Sequence, residues 1–109
     1  MLFSTSLKDN KGFQRAYKRG KSIVTPVVVA YFFQNKQNYN RIGIATSKKI
    51  GCAVKRNRAK RVIREAYTQC ETLFPIGYDI VFVARVRTCT VKTQAVINAI
   101  KRDIVKKMT

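Results

Sequence analysis

The chain has 109 residues, enough for one hydrophobic core, and we predict that residues 1–109 form a single domain. Apolar residues make up 46% of it, which excludes a disordered cationic tail. The formal net charge of +18 predicts a polyanionic partner that would relieve self-repulsion. Nucleic acid is the first candidate, and an anionic membrane surface is the competing one.

The termini and the cysteines narrow the class of protein further. Residues 1–6 lack the apolar region of a signal peptide, and the apolar run Val27–Phe33 is too short to span a bilayer. We therefore expect a cytoplasmic protein. The cysteines, Cys52, Cys70 and Cys89, are odd in number and the chain has no His. These facts argue against a disulfide framework and a usual zinc site, so we expect reduced thiols.

The first half of the sequence predicts a helix followed by two strands. The helix lies between Leu7 and Gly20, starts near Lys8 or Lys11, and has Ser6 or Asn10 as a possible cap. A β-rich segment, Ser22–Phe33, follows, and Pro26 could break it into two strands. A polar connection, residues 34–40, leads to the strand Arg41–Thr46. We expect these two strands to pair in an antiparallel hairpin.

The second half predicts a long helix, a buried strand and a last helix. The basic loop Ser47–Cys52 precedes a helix over Ala53–Leu73, which ends before Pro75. The continuous apolar strand Tyr78–Arg85 suggests burial on both faces. A turn follows, and Thr90 or Thr93 could cap the last helix. The order α-β-β-(β)-α-β-α predicts an α+β two-layer sandwich, with a mixed, mainly four-stranded sheet and a β-α-β crossover.

The long helix combines an apolar face with a basic face. Ala59, Val62, Ile63, Ala66, Tyr67 and Cys70 recur at helical spacing, which predicts burial. Polar and basic residues occupy the opposite arc: Asn57, Lys60, Arg61, Arg64 and Thr68, with Arg56 and Arg58 near the helix start. An ordinary solvated face would intersperse Glu for (i, i+4) pairing, but Glu65 is the only acidic residue in 47–65. The pattern predicts phosphate binding, because Arg can grip phosphate through two parallel hydrogen bonds.

Composition argues against a self-sufficient nuclease. Protein-catalysed phosphodiester hydrolysis usually needs clustered carboxylates for metal ions or a His acid–base pair. This chain has no His, and its acids are scattered over five segments, as Asp9, Glu65, Glu71, Asp79 and Asp103.

Residues 47–65, SKKIGCAVKRNRAKRVIRE, resemble the signature of the protein subunit of bacterial ribonuclease P. The family's Arg-Asn-Arg core matches Arg56, Asn57 and Arg58. The resemblance covers nearly the whole chain. It includes the first helix through Phe13, Tyr17 and Gly20, the strand residue Tyr31, and the segments Arg41–Gly43 and Asp79–Arg85.

The resemblance implies a ribonuclease P protein-type RNA-binding domain with helices packed on a mainly four-stranded sheet and a left-handed crossover. It implies an accessory endoribonuclease subunit that assists a catalytic RNA in removing the 5′ leader of precursor tRNA. The RNA would carry the chemistry and hold Mg²⁺, and the protein, monomeric alone, would bind it 1:1. The expected contacts to the catalytic RNA are Lys48, Lys49, Arg56, Asn57, Arg58, Lys60, Arg61 and Arg64; those to the leader are Phe13, Tyr17 and Tyr31.

The rings of these three aromatic residues could stack on unpaired leader bases, whereas Phe32, Phe33, Phe74 and Phe82 are expected to be core or structural. Two rival functions remain at this stage. A ribosomal or other structural RNA-binding protein would share the size and charge. A DNA-binding module would use residues 53–70 as a recognition helix, but a strand and a basic loop precede this helix in place of a helix-turn-helix partner.

Overall fold

A computed structural model describes residues 4–7, 10–46 and 49–108. The predicted α+β arrangement of helices on a mixed sheet is confirmed. In chain order the elements are β1 (Ser4–Ser6), α1 (Asn10–Arg19), β2 (Lys21–Val24), β3 (Val28–Gln34), β4 (Asn40–Thr46), α2 (Ala53–Cys70), a 3₁₀ turn (Glu71–Leu73), β5 (Tyr78–Ala84), a second 3₁₀ turn (Val86–Cys89), α3 (Thr93–Ala99), a π-helical turn (Ile100–Ile104) and α4 (Val105–Met108).

The sheet has five strands in the order β1-β4-β5-β3-β2. β4 and β5 are parallel neighbours joined through α2, which confirms the predicted β-α-β unit, while its left-handed sense stays a prediction. β5 occupies the centre, and Ile80, Val81 and Phe82 on it are fully buried, as its continuous apolar run predicted. The break at Pro26 is also confirmed, because β2 and β3 are separate antiparallel strands.

The predicted hairpin between the strands now labelled β3 and β4 is wrong. β5 lies between them, antiparallel to β3 and parallel to β4. The physical reason is the apolar character of β5, which is best buried with a strand on each side. The segment that joins β3 to β4 therefore crosses the end of β5. There the Asn35 backbone amide donates to the Gly77 carbonyl at 2.8 Å. The Asn40 side chain accepts from the amides of Gly77 and Tyr78 at 2.8 and 2.9 Å.

The short strand β1 was not predicted, because Ser4–Ser6 has no alternation of apolar and polar residues. It pairs in parallel with the start of β4. Side chains join it to α2 and to the 3₁₀ turn that follows: the Ser4 hydroxyl lies 2.7 Å from the Tyr67 hydroxyl and donates to Glu71 Oε2 at 2.6 Å. β1 therefore forms through contacts distant in sequence, which local patterns do not reveal.

The helices cover both faces of the sheet. The larger core joins α2 and the C-terminal helical segments to one face, and the smaller core joins α1 to the other through Leu7, Ala16 and Val81. α2 is shorter than predicted, ending at Cys70 before a 3₁₀ turn. The proposed caps Thr90 and Thr93 are wrong, because Lys92 is the N-cap of α3. Ser6, a possible cap of α1, lies in β1. In the described ranges no helix is long and apolar enough to cross a membrane.

Candidate nucleic-acid interface

α2 separates its two faces as the sequence predicts. The residues at apolar positions are buried: Ala59, Val62, Ile63, Ala66, Tyr67 and Cys70. The predicted RNA-contact residues of the helix stay at the surface, with Arg56 half-exposed and the others exposed: Asn57, Arg58, Lys60, Arg61 and Arg64. Packing of the buried face therefore holds this row of cations and one amide in a fixed array along the helix.

Two arginines of this row also fasten neighbouring loops. Arg58 donates from Nε to the Cys89 carbonyl at 3.0 Å and from Nη2 to the Val91 carbonyl at 3.2 Å. Arg56 donates from Nη1 to the Ile50 carbonyl at 3.2 Å. These two side chains thus have structural contacts in addition to any RNA contact, a role that the sequence does not reveal.

The basic loop before α2 contributes Lys49, which is exposed, whereas the predicted contact Lys48 lies outside the described residues. Lys49 borders a groove of about 770 Å³ at the end of β5, together with Arg85 and Arg87. These two arginines were not predicted as site residues. The sequence carried a signal, because basic residues at the end of a buried strand must lie where the sheet meets solvent, at that end of the strands.

The three predicted leader-contact aromatics come together on the face of the sheet that α1 covers. The Tyr17 and Tyr31 ring centroids are 5.0 Å apart in an edge-to-face arrangement, and those of Phe13 and Tyr17 are 6.4 Å apart. Phe13 and Tyr31 are half-buried, while Tyr17 is 36% exposed. Partial burial, together with the neighbouring Tyr31, raises the pKa of Tyr17. The result is an aromatic row that is partly open to solvent.

Of the aromatics assigned to the core, Phe32, Phe74 and Phe82 are buried, but Phe33 is only half-buried. Because side chains alternate along a strand, Phe33 shares its face of β3 with Tyr31. The sequence already contained this information, because Phe33 lies two residues after Tyr31 in a predicted strand. Phe33 is an additional candidate for the aromatic surface.

The acidic side chains that the structure describes lie apart from one another or are bound within the fold. No cluster of three potential metal-ligating residues occurs in the described ranges. Asp79 is buried and bound by Arg41 and Asn35, and Glu71 is buried and accepts from Ser4. Asp79 and Glu71 are therefore engaged within the fold and are not arranged to hold a catalytic Mg²⁺ together.

Comparison with known proteins identifies the family. A family model described as Ribonuclease P matches residues 2–109. The chain belongs to the ribonuclease P family. The Ribonuclease P protein component of Clostridioides difficile is 47% identical over 81 residues, which cover 73% of this chain and 71% of that relative.

Solved structures agree with this assignment. The RNase P protein of Staphylococcus aureus superposes with a TM-score of 0.78 at 36% identity, over 94% of this chain and 92% of that chain. The RNase P protein from Thermotoga maritima has a TM-score of 0.83 at 29% identity, over 95% of this chain and 97% of that chain. The likeness therefore extends over nearly the whole fold.

The cysteines are free thiols, with Cys70 and Cys89 buried and Cys52 exposed at the start of α2. The backbone amides of Lys55 and Val54 lower the pKa of Cys52, and the Lys55 and Arg56 cations act in the same direction. Burial raises the pKa of Cys70. Reactivity follows the thiolate and its exposure. We expect iodoacetamide at neutral pH to alkylate Cys52 well before the other two, as measured by peptide mass spectrometry; faster labelling of Cys70 would contradict the described burial.

Proposed function

We propose that this chain is the protein subunit of ribonuclease P. In this proposal the whole chain acts as one RNA-binding domain in the cytoplasm, monomeric alone and bound 1:1 to the catalytic RNA. It binds that RNA and the 5′ leader of precursor tRNA, and it assists endonucleolytic removal of the leader. The observation that carries the proposal is the presence, in a ribonuclease P family fold, of a cationic helix face and a partly open aromatic row on separate surfaces.

The cationic surface suits the catalytic RNA. Arg56, Asn57, Arg58, Lys60, Arg61 and Arg64 on α2, with Lys48 and Lys49 before it, would neutralise phosphates and reduce repulsion between two RNA chains. The catalytic RNA would position Mg²⁺ and carry the cleavage chemistry. In support, Asp79 and Glu71 are buried and hydrogen-bonded within the fold, and the described residues include no group of three potential metal ligands. The protein would thereby raise the affinity for precursor tRNA and the occupancy of the metal sites that the RNA provides.

The aromatic row suits an unpaired leader. Bases can stack on Phe13, Tyr17 and Tyr31 without hydrogen-bond readout, which tolerates the many leader sequences that such an enzyme meets. The neutral phenol of Tyr17 avoids repulsion of the RNA backbone.

Reconstitution tests the proposal. The full chain mixed with a bacterial ribonuclease P RNA is expected to increase the rate of leader removal from precursor tRNA at limiting Mg²⁺. The RNA alone and the protein alone are the controls. Equal cleavage with and without the protein would refute the function.

A second prediction separates leader contact from core packing. Tyr17→Ala should weaken holoenzyme binding of precursor tRNA by about fivefold or more, because one stacking contact is worth about 1–3 kcal/mol. Tyr17→Phe should retain most of the affinity, and mature tRNA, which has no leader, should bind both variants equally well. Filter binding measures these affinities. Equal losses for precursor and mature tRNA would assign Tyr17 to the core.

A further inference from the structure

A groove lies beside the outermost strand of the sheet, at the edge opposite β1. β2 ends the sheet on this side, and the described residues place no further strand beyond it. The groove has a volume of about 420 Å³, and we refer to it as the β2-edge groove. It is lined by Ile23 and Val24 from β2 and by Arg102, Asp103, Lys106 and Lys107 from the C-terminal helical segments. These residues are separate from the cationic α2 surface and from the aromatic row.

The main chain of β2 directs hydrogen-bonding groups toward this free edge. The Thr25 amide donates to the Val28 carbonyl at 3.0 Å, which makes Thr25 and Val28 a hydrogen-bonded pair. Hydrogen-bonded and non-hydrogen-bonded pairs alternate along an antiparallel ladder, so the N–H and C=O groups of Ser22 and Val24 point away from β3. Each of these two residues therefore offers a donor and an acceptor to an added strand.

The walls of the groove combine apolar surface with an excess of positive charge. Ile23 is buried on the face of β2 that the C-terminal segments cover, while Val24 is 67% exposed. Three cations line the groove, and all are exposed: Arg102, Lys106 and Lys107. Asp103, the carboxylate among the lining residues, lies 4.0 Å from Arg102 in an exposed pair. The groove is therefore an apolar strip with a cationic border.

An irregular part of the C-terminal segment presents this border. Arg102 and Asp103 lie in the π-helical turn Ile100–Ile104. Such turns are rare and frequently occur at functional sites. Ile100 and Ile104 are fully buried, so packing on the core fixes the turn and holds Arg102 at the wall of the groove.

We propose that the β2-edge groove binds an extended acidic segment of another protein. The segment adds to β2 as a further outer strand and pairs with the main chains of Ser22 and Val24. Side chains of an added strand alternate between the two faces of the sheet. Those on the face of Ile23 meet the three cations, which selects Asp or Glu at every second position, because carboxylates form charge-assisted hydrogen bonds with Arg and Lys.

The free main chain and the charge together favour this occupant over two others. A second copy of the chain, paired edge to edge, would bring two sets of cations together in molecules of net charge +18. Single-stranded RNA would satisfy the cations, but its backbone lacks the alternating N–H and C=O groups that pair with a strand edge. An acidic peptide matches both features. This inference goes beyond the proposed function and does not depend on it, because neither RNA surface contributes to the groove.

A peptide with blocked amides tests the strand pairing. The probe is a fluorescein-labelled peptide of about eight residues in which Val and Glu alternate, and fluorescence anisotropy measures its affinity for the full chain. Two isomers carry N-methyl groups, one on every Val and the other on every Glu, so their charge is the same. Alternate amides of a strand point to opposite edges, so one isomer should keep the affinity of the probe and the other should lose about tenfold or more. Equal affinities of the isomers would overturn the inference.

Charge reversal tests where the peptide binds. Arg102→Glu with Lys107→Glu should lower the affinity for the unmethylated probe about tenfold at low ionic strength, because like charges then face each other. Lys11→Glu with Arg15→Glu is the matched control, since both residues are exposed on α1 and the change in charge is the same. Equal losses in the two variants would place the peptide elsewhere and overturn the inference.

A labelled oligouridylate tests RNA as the alternative occupant of the groove. Its affinity should respond equally to the two charge-reversal variants. A larger loss with Arg102→Glu and Lys107→Glu would assign the groove to RNA and overturn the inference. These measurements use no ribonuclease P RNA, so their failure is distinct from failure of the proposed function.

Discussion

Replacing Lys60, Arg61 and Arg64 together by Ala is expected to lower the affinity for ribonuclease P RNA about 100- to 500-fold at about 0.1 M salt. Each phosphate contact contributes about 0.7–0.9 to the slope of log K against log salt concentration. Loss of three contacts should therefore reduce the slope by about 2–3. Titrations at several salt concentrations measure both quantities.

A control variant separates local contacts from net charge. Lys101, Arg102 and Lys107 are exposed on the C-terminal helical segments, so their replacement by Ala removes the same charge elsewhere. We expect this variant to lose much less affinity. Equal losses in the two triple variants would show that total charge, and not the α2 surface, governs binding.

Arg58 would be a poor choice for the triple variant, because its side chain also has a structural role. Its guanidinium holds the carbonyls of Cys89 and Val91, so Arg58→Ala would loosen the loop before α3 as well as remove a cation. By contrast, Lys60, Arg61 and Arg64 are exposed on a helix in which Ala is well tolerated. Their combined replacement should leave the free energy of unfolding nearly unchanged, so a loss of affinity would report on binding.

The features that sequence predicted best are those set by local periodicity. The burial of Val62, Ile63 and Tyr67 and the exposure of Arg61 and Arg64 follow from 3.6 residues per turn, which holds whatever the helix packs on. The burial of β5 on both faces was likewise predicted from its unbroken apolar run. These patterns lie within single elements.

Features set by contacts distant in sequence were not predictable in this way. β1 depends on Ser4 meeting Tyr67 and Glu71, and the neighbours of β4 depend on where β5 inserts. The proximity of Phe13 to Lys60 and Arg64 could not be inferred, because these residues lie on helices covering opposite faces of the sheet.

Asp79→Ala is expected to lower the free energy of unfolding by about 3 kcal/mol, because it breaks an ion pair that joins the parallel strands β4 and β5. Asp79 is 1% exposed and accepts from Arg41 Nε at 2.7 Å and Nη2 at 2.6 Å. Asn35 Nδ2 adds a third hydrogen bond at 2.9 Å. The Arg41 side chain is 28% exposed and can be partly rehydrated, so the expected loss is at the low end of the range for buried pairs.

Urea unfolding followed by circular dichroism measures the loss, with Asp103→Ala as the matched control. Asp103 Oδ2 lies 4.0 Å from Arg102 Nε in an exposed ion pair. Removal of this carboxylate should therefore change the free energy of unfolding by less than about 0.5 kcal/mol. Arg41→Met combined with Asp79→Leu should lower the free energy of unfolding by less than the sum of the two single changes. The double variant removes both charges, so no buried charge is left unpaired. A loss for Asp79→Ala as small as that for Asp103→Ala would mean that strand packing, and not this ion pair, holds β4 against β5.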